Sequence, residues 1–342
     1  MAVSESDAAM SFSALVTRQS ADGRVSSAVE TLASDALPPG EVLVAVEWAG
    51  LNYKDALVLA GQGNLVRNWP HVGGIDFAGR VIESRDTRYH PGQAVVLTGW
   101  RVGETRWGGF AQRARVAADM LVPLPKRFSS RTAMMLGTAG LAAMLAINRL
   151  QAEGNRPGDG EVLVTGAGGG VGSIAVLLLA RLGYQVVALT GRPALAEGLT
   201  RLGASRIVAR DEVLQPTGKG LDKETWAASV DSVGGPLLGE VLKKIRYGGA
   251  VAAIGNAGGR NWDGSVIPFI LRNVTLCGID TVMQPFEARQ AAWDRLTTLF
   301  APAVYEPLVQ EARLDELPDL AVQLLQGRVA GRVLVNPREQ EG

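Results

Sequence analysis

Short apolar runs separated by turn signals dominate the first part of the chain. Residues 42–46 (VLVAV) and 94–97 (AVVL) are two such runs, and proline and glycine residues at 38–40 and 91–92 precede them. Runs of this length between proline and glycine residues are typical of β-strands. The pattern predicts a β-barrel-like domain over about residues 12–125.

The pattern changes near residues 126–132, after which a long apolar helix is predicted over 133–150. Apolar runs and helical segments then alternate, which is typical of a parallel sheet that binds ligands beyond the carboxyl ends of its strands. The predicted strands cover 161–165, 185–190, 206–209, 228–231, 250–254 and 274–278.

A helix at 286–300 and a strand at 332–335 are predicted to follow this sheet. We expect this last stretch to return to the first domain. The predicted domains are therefore 1–130, 131–281 and 282–342.

A glycine-rich turn, residues 166–172 (GAGGGVG), directly follows the first predicted strand of the sheet and precedes an apolar helix. Glycines allow a dinucleotide pyrophosphate to approach the free N–H groups at the start of a helix. The turn reads A-x-G-x-x-G, so it departs from the usual G-x-G-x-x-G fingerprint at its first small position. The sequence predicts cofactor contacts from four residues, Gly168, Gly169, Gly170 and Val171. A turn with only a structural role is the alternative.

The end of the second predicted strand bears on the choice between NAD and NADP. It reads Thr190-Gly191-Arg192, without the carboxylate that would bond the ribose hydroxyls of NAD, and Arg210 closes the third strand. Arginine makes forked contacts with phosphate. The sequence therefore favours NADPH, with contacts from Thr190, Gly191, Arg192 and Arg210. Alternatively, both arginines are ordinary solvated residues.

The composition bounds the class of protein. The 342 residues are 47% apolar and carry no formal net charge, so no long-range field for nucleic acid or an anionic membrane is expected. A single cysteine, Cys277, excludes internal disulfides and fits a reducing compartment. No signal peptide or apolar stretch of membrane-spanning length is expected. These observations predict a soluble, cytoplasmic protein.

Three longer strings carry a resemblance to a known family. They are residues 51–81, which contain NYKD and GIDFAG, residues 97–112 (LTGWRVGETRWGGFAQ) and residues 266–280 (VIPFILRNVTLCGID). With them the chain resembles the medium-chain dehydrogenase/reductase superfamily nearly end to end, and within it the acrylyl-CoA reductase (NADPH) branch. The resemblance implies an α/β fold with a Rossmann dinucleotide-binding domain and a GroES-like β-barrel catalytic domain.

The resemblance also implies a reaction, the reduction by NADPH of the C=C bond of a short 2-enoyl-CoA, with acrylyl-CoA giving propanoyl-CoA. An alternative is a quinone or other activated-alkene reductase of the same superfamily. A non-catalytic NADPH sensor is an alternative of another class.

No metal site is expected. Zinc members of the superfamily need an early cysteine, a Gly-His-Glu segment and a further ligand, because catalytic zinc has three protein ligands. The corresponding segment reads Gly74-Ile75-Asp76, and His71 and His90 lack neighbours at ligand spacing. The sequence predicts a metal-free enzyme in which Asp76 ties or caps the barrel.

Tyr53 is the first candidate for the chemistry, since a phenol donates a hydrogen bond or a proton at neutral pH. Its counterpart in the family lines the cofactor, and a packed tyrosine that only shapes the pocket is the alternative. Asn52 is a further catalytic candidate, expected to orient this neighbourhood, and a structural, hydrogen-bonded asparagine is the alternative. Arg67, in a glycine-bearing loop, is expected to meet an acyl-CoA phosphate or the thioester, unless it is merely solvated.

The resemblance implies four further cofactor contacts, at Asn256, Ile270, Thr281 and Gly327. A turn preference alone would explain Asn256, and the end of a helix would explain Gly327. Arg332 is a weaker candidate for a cofactor phosphate. Residues 274–279 should form an edge strand, and an apolar edge invites pairing, so we expect a homodimer.

Overall fold

The computed structural model describes residues 11–339, which form two compact units. The first unit contains the described residues up to Thr138, Val282–Ala291 and the described residues from Val309 onward. The second unit contains Ala139–Thr281 and Ala292–Leu308. The segment after residue 282 is thus shared between the two units, and the domain limits given above stay predictions.

The first unit is built from β-strands. Its smaller sheet has the antiparallel order Val25–Leu32, Phe12–Gln19, His71–Val72. Its larger sheet has the order Val309–Ala312, Arg332–Val335, Val42–Leu51, Asp76–Ser84, Ala94–Thr98, Leu121–Pro123, with Arg113–Val116 also paired to Val42–Leu51. Only the first two strands of this larger sheet pair in parallel. The predicted strand Arg332–Val335 is present with the expected bounds.

Strand Val42–Leu51 lies at the centre of the larger sheet, and its residues Val42, Leu43 and Val44 are fully buried. Burial on both faces explains why the sequence shows a continuous apolar run here rather than alternation. The helices and short 3-10 turns of this unit are Ser34–Ala36, Tyr53–Leu59, Ala118–Met120, Leu314–Glu316 and Leu317–Leu325.

The second unit is a six-stranded parallel sheet with helices. The strand order is Arg206–Ala209, Gln185–Thr190, Glu161–Val164, Trp226–Asp231, Ile245–Ala253, Thr275–Gly278. This is the 3-2-1-4-5-6 order of a Rossmann fold, in which ligands bind beyond the carboxyl ends of the strands. The helices and 3-10 turns are Gly170–Arg181, Pro193–Leu195, Ala196–Arg201, Arg210–Leu214, Gly235–Leu242, Ile267–Arg272, Pro302–Tyr305 and Glu306–Leu308. Helix Phe286–Leu299 begins in the first unit and ends in the second.

Each of the six predicted strands is present. The bounds of Gln185–Thr190 and Arg206–Ala209 agree with the prediction, whereas strand Ile245–Ala253 begins earlier than the predicted residue 250. Its first part contains Arg246, Tyr247 and Gly248, which are exposed, so the apolar pattern gave no signal there.

The long apolar helix Ser130–Ala152 is interrupted at Gly137, whose φ of 52° and ψ of −147° are not helical. Within the part of the chain that the structure describes, this helix alone has the length and composition needed to cross a membrane. The expectation that no segment would have them is therefore wrong. Its most apolar stretch, of mean hydropathy 1.4, is 78% buried.

Candidate active site

The glycine-rich turn joins strand Glu161–Val164 to helix Gly170–Arg181, with Gly169 as the N-cap. A Cβ atom on Gly172 would lie 2.7 Å from the Cα atom of Ala167, so only glycine fits there. Gly170 and Val171, the first two helical residues, are half-buried. Their N–H groups have no acceptor within the helix, as in any first turn, and suit an anionic ligand.

Arg192 is anchored on this turn. Its Nη2 donates a hydrogen bond of 2.9 Å to the carbonyl oxygen of Gly168, and its backbone N–H donates one of 3.1 Å to Thr190 Oγ1. A Cβ atom on Gly191 would lie 3.6 Å from Arg210 Cζ. The structure thus brings together the four residues predicted at the strand ends, and places the Arg192 guanidinium on the glycine-rich turn and the Arg210 guanidinium beside Gly191.

Thr165 and Asp231 form a buried pair at the same edge of the sheet, and the sequence predicted no role for them. Thr165 Oγ1 donates a hydrogen bond of 2.6 Å to Asp231 Oδ1, and the Gly234 N–H donates one of 2.8 Å to Asp231 Oδ2. The Ser232 N–H donates to Thr165 Oγ1 at 3.1 Å. Burial raises the pKa of Asp231, against these hydrogen bonds. In the sequence, this pair is indicated by a carboxylate at the end of a predicted buried strand.

The remaining cofactor candidates of the second unit lie farther along the sheet. Asn256 is exposed in the loop after strand Ile245–Ala253, and its Cα atom would lie 3.2 Å from a Cβ atom on Gly234. Ile270 is 67% exposed on helix Ile267–Arg272, and Thr281 is half-buried after the last strand. Contacts of these three residues with a cofactor stay predictions.

Gly327 belongs to the first unit, where it follows helix Leu317–Leu325 with a φ of +69°. The Gly327 N–H donates to the Leu324 carbonyl at 3.0 Å, and the Arg328 N–H donates to the Gln323 carbonyl at 2.9 Å. This is a glycine that ends a helix in the left-handed conformation. The alternative given above thus accounts for the residue, and its cofactor contact stays a prediction.

Tyr53 is the first residue of helix Tyr53–Leu59 and is 38% exposed. Asp55, two residues later, is completely buried. Its carboxylate accepts hydrogen bonds from the backbone N–H groups of Asn52 (2.9 Å), Gly74 (3.1 Å) and Ile75 (2.9 Å). Asp55 therefore holds the start of the helix that carries Tyr53.

Burial and the charge of Asp76 raise the pKa of Asp55 to about 7, although hydrogen bonds from Asn52 and Ile75 oppose the shift. No role was predicted for Asp55 from the sequence. The sequence showed only that Asp55 lies three residues after a possible N-cap asparagine, Asn52. That position does not indicate the buried carboxylate of Asp76 nearby.

Asp76 and Arg332 form the other half of this buried cluster. Asp76 Oδ1 accepts the Gly50 N–H at 3.1 Å, Asp76 Oδ2 accepts the Thr138 N–H at 2.6 Å, and Arg332 Nη2 lies 3.7 Å from Oδ2. A Cβ atom on Gly137 would lie 2.6 Å from both Arg332 Nη2 and Asp76 Oδ2. Asp76 thus ties several segments together, as expected.

The cofactor-phosphate contact expected of Arg332 is wrong. Arg332 is 3% exposed, and its Nη1 donates a hydrogen bond of 2.8 Å to Asn52 Oδ1. A buried guanidinium that faces Asp76 and Asn52 presents no surface to a phosphate. Asn52 in turn uses its side-chain amide on Arg332 and Asp55, so it orients the start of the helix, and a catalytic role for Asn52 stays a prediction.

Two further expectations concern the first unit. Arg67 is exposed in the loop between helix Tyr53–Leu59 and strand His71–Val72, and its role stays a prediction. Lys54, beside Tyr53, forms an ion pair of 2.9 Å with the nearly buried Glu104, a tie that the sequence analysis missed. His71 is 2% exposed, and burial lowers the pKa of its imidazole.

Comparison with known proteins gives consistent matches. Residues 38–126 match the alcohol dehydrogenase GroES-like domain family, and residues 170–298 match the family described as zinc-binding dehydrogenase. The acrylyl-CoA reductase AcuI of Ruegeria pomeroyi is 52% identical over 95% of this chain and 99% of its own length.

The chain belongs to the acrylyl-CoA reductase branch of the medium-chain dehydrogenase/reductase superfamily. Its fold class, a Rossmann domain with a GroES-like domain, is confirmed.

Solved structures that are similar to this chain include proteins with either dinucleotide. The yhdH oxidoreductase of Salmonella enterica, in complex with NADP, has a TM-score of 0.93 and 48% identity, covering 95% of this chain and 100% of that one. The yhfP protein of Bacillus subtilis, with NAD bound, has a TM-score of 0.91 and 44% identity, covering 96% of this chain and 99% of that one. That Bacillus protein is also named, provisionally, as a quinone oxidoreductase.

Zinc, which the name of one matched family implies, does not fit the part of the chain that the structure describes. The carboxylate of Asp76, in the segment where zinc members have Gly-His-Glu, is already bonded by two backbone N–H groups and faces Arg332. Among residues 11–339, His, Cys, Asp and Glu side chains form no group of three that would hold a metal ion.

Proposed function

We propose that this chain is an NADPH-dependent reductase of the C=C bond of a short 2-enoyl-CoA, with acrylyl-CoA as substrate and propanoyl-CoA as product. The observation that supports the choice of NADPH is the hydrogen bond of 2.9 Å from Arg192 to the Gly168 carbonyl, with Arg210 beside Gly191. The substrate class is supported by the 52% identity to the Ruegeria acrylyl-CoA reductase.

The second unit provides the groups that would hold the dinucleotide. The N–H groups of Gly170 and Val171 suit the pyrophosphate, and Arg192 and Arg210 suit the phosphate that distinguishes NADP from NAD. Asn256, Ile270 and Thr281 are proposed as further contacts. When bound, NADPH supplies the hydride that the β-carbon of the enoyl thioester accepts.

Hydride addition to the β-carbon places negative charge on the thioester oxygen, and a proton added to the α-carbon then completes the reduction. Tyr53 is proposed to donate a hydrogen bond from its hydroxyl to that oxygen, or the proton to the α-carbon. A contact with the cofactor is the other role proposed for it. Asn52 and Asp55 hold the helix start that presents Tyr53. Arg67 is proposed to contact a phosphate of the acyl-CoA.

The reaction is proposed to proceed without zinc. The support is that the Asp76 carboxylate already has partners. It accepts hydrogen bonds from the N–H groups of Gly50 and Thr138, and the Arg332 guanidinium is its counter-charge. Addition of hydride to an activated alkene needs a hydrogen-bond donor at the oxygen, which a tyrosine supplies. No step of the proposed reaction passes through a metal.

A quinone or other activated-alkene reductase is the second candidate, favoured by the name of the Bacillus relative. Turnover of acrylyl-CoA and of a simple quinone should be compared at the same NADPH concentration. A higher kcat/KM for acrylyl-CoA is expected, and a higher value for the quinone would contradict the proposal. If the protein binds NADPH tightly but neither compound oxidises the bound NADPH, a non-catalytic NADPH sensor would be favoured instead.

We also propose a cytoplasmic homodimer. Strand Thr275–Gly278 lies at the edge of the six-stranded sheet, and Val266 and Leu271, on the preceding helix and its N-cap, are at least 60% exposed. An apolar face next to an open edge supports pairing of two copies. The single buried thiol of Cys277 is compatible with a reducing compartment. A monomer by light scattering would contradict the dimer.

A further inference from the structure

Two buried hydroxyl groups meet at the start of helix Gly170–Arg181. Ser173 Oγ and the Tyr305 hydroxyl oxygen are 2.7 Å apart, and Ser173 is 1% and Tyr305 0% exposed. Tyr305 ends the short helix Pro302–Tyr305, which belongs to the second unit although it lies far along the chain from the glycine-rich turn.

The direction of this hydrogen bond follows from the other partners of Ser173. Ser173 Oγ lies 2.7 Å from the Gly169 carbonyl oxygen and 3.3 Å from that of Gly170. A carbonyl oxygen only accepts, so the single Ser173 hydroxyl proton is directed to these carbonyls. Tyr305 is therefore the donor to Ser173. The three groups form a relay from the Tyr305 hydroxyl through Ser173 to the Gly169 carbonyl.

The relay ends on a peptide group of the glycine-rich turn itself. The Gly169 carbonyl and the Gly170 N–H belong to one conjugated peptide unit. Hydrogen bonds accepted by the carbonyl polarise that unit and make its N–H a stronger donor. The Gly169 carbonyl accepts two of them, since the Ser173 N–H also donates to it at 3.0 Å.

We propose that Tyr305 and Ser173 are positioning residues for the dinucleotide, whose hydroxyl relay fixes the Gly169–Gly170 peptide and strengthens its N–H toward the pyrophosphate. This inference rests on the proposed function, because it takes NADPH as the ligand of the turn. Neither hydroxyl is assigned a direct contact with the cofactor.

The test compares Tyr305→Phe with Tyr184→Phe as a matched control. Tyr184 is also buried in the second unit, and its hydroxyl donates to the Asn155 carbonyl at 3.0 Å, away from the turn. The Kd values of NADPH, NADH and adenosine 2′-monophosphate are measured by calorimetry. The last compound has the 2′-phosphate of NADPH but no pyrophosphate.

Tyr305→Phe should raise the Kd of NADPH and of NADH by the same factor, roughly three- to tenfold, the value of one hydrogen bond. The Kd of adenosine 2′-monophosphate should stay unchanged. Tyr184→Phe should leave all three values unchanged. Ser173→Ala should reproduce the loss, and adding Tyr305→Phe to it should cause no further loss, because both changes break one relay.

Unchanged NADPH affinity in Tyr305→Phe, or an equal loss of adenosine 2′-monophosphate binding, overturns the inference. If Tyr305→Phe does not fold, Ser173→Ala decides by the same criteria. Arg192→Ala separates this failure from that of the proposed function, since it should weaken NADPH and adenosine 2′-monophosphate but spare NADH. A wild-type protein that does not bind NADPH refutes the proposed function itself.

Discussion

The guanidinium of Arg332 donates a hydrogen bond of 2.8 Å to the side-chain oxygen of Asn52, although 280 positions separate the two residues. Through this bond the last described strand holds the residue just before the candidate catalytic Tyr53. The same guanidinium is the counter-charge of the buried Asp76. One arginine therefore supports both the stability of the first unit and the geometry of its candidate site.

Replacement of Arg332 should destabilise the first unit strongly. Arg332→Gln leaves the carboxylate of Asp76 buried without its counter-charge, which typically costs about 3–5 kcal/mol in the free energy of unfolding. Urea unfolding followed by circular dichroism measures the change. Arg338→Gln removes an exposed arginine from the same region and is the control. If Arg332→Gln lowers the free energy of unfolding no more than Arg338→Gln does, the Asp76–Arg332 pair contributes little to stability.

The raised pKa of Asp55 predicts a pH-dependent stability. Its pKa is about 7 in the folded protein against 3.8 for the free group, so the folded state binds the proton more tightly. The stabilisation from this site is complete below about pH 4 and is lost as the pH rises to about 7. The free energy of unfolding of Asp55→Asn, relative to wild type, should therefore increase as the pH rises from about 4 to about 7.

Asp319→Asn, which changes an exposed carboxylate of the same unit, is the control for this experiment. Its difference from wild type should not vary over the window. A pH-independent difference for Asp55→Asn as well would mean that Asp55 stays ionised in the folded protein.

Tyr53→Phe should lower kcat while leaving NADPH bound. Loss of a proton or hydrogen-bond donor in the transition state reduces kcat by about 10²- to 10⁴-fold. The Kd of NADPH should change little, because the ring remains. Steady-state kinetics with acrylyl-CoA, together with calorimetry, measure both values. Tyr247→Phe, at a tyrosine of the other unit that is 71% exposed, is the control. Nearly normal turnover would leave Tyr53 with a packing role.

Two glycines of the phosphate turn should respond differently to alanine. A Cβ atom on Gly172 would lie 2.7 Å from Ala167 Cα, whereas one on Gly169 would meet nothing closer than the Gly166 carbonyl oxygen at 3.4 Å. Gly172→Ala should therefore lower the melting temperature. Gly169→Ala should preserve it but weaken NADPH, because the new methyl group occupies the approach of the pyrophosphate. Equal melting temperatures for the two variants would contradict this account.

The sequence predicted several strands because an apolar run and the turn residues that bound it are local features of a chain. The strands Gln185–Thr190, Arg206–Ala209 and Arg332–Val335 have apolar runs bounded by turn residues, and the structure places them at the predicted positions. The early part of strand Ile245–Ala253 was missed because its exposed residues carry no apolar pattern. It forms because Trp226 pairs with Ile245 in the neighbouring strand.

The buried polar groups were predicted less well. From the sequence, Arg332 was a candidate for a cofactor phosphate, and only pairing of its strand with Val42–Leu51 brings it to Asn52 and Asp76. Tyr305 carried no motif, and its meeting with Ser173 depends on the return of the segment Ala292–Leu308 to the second unit. Such contacts arise from tertiary structure, and no periodicity within a short window indicates them.

The central strand Val42–Leu51 pairs with Arg332–Val335, whereas the second unit is complete once Leu308 has been made. During synthesis from the N-terminus, the ribosome must therefore translate through residue 335 before the first unit can form all its strand pairs. The unit encoded in the middle of the chain can finish folding while the one encoded first still waits for its last strand. In a nascent chain stopped after Leu308 but before Arg332, the carboxylate of Asp76 would lack its counter-charge.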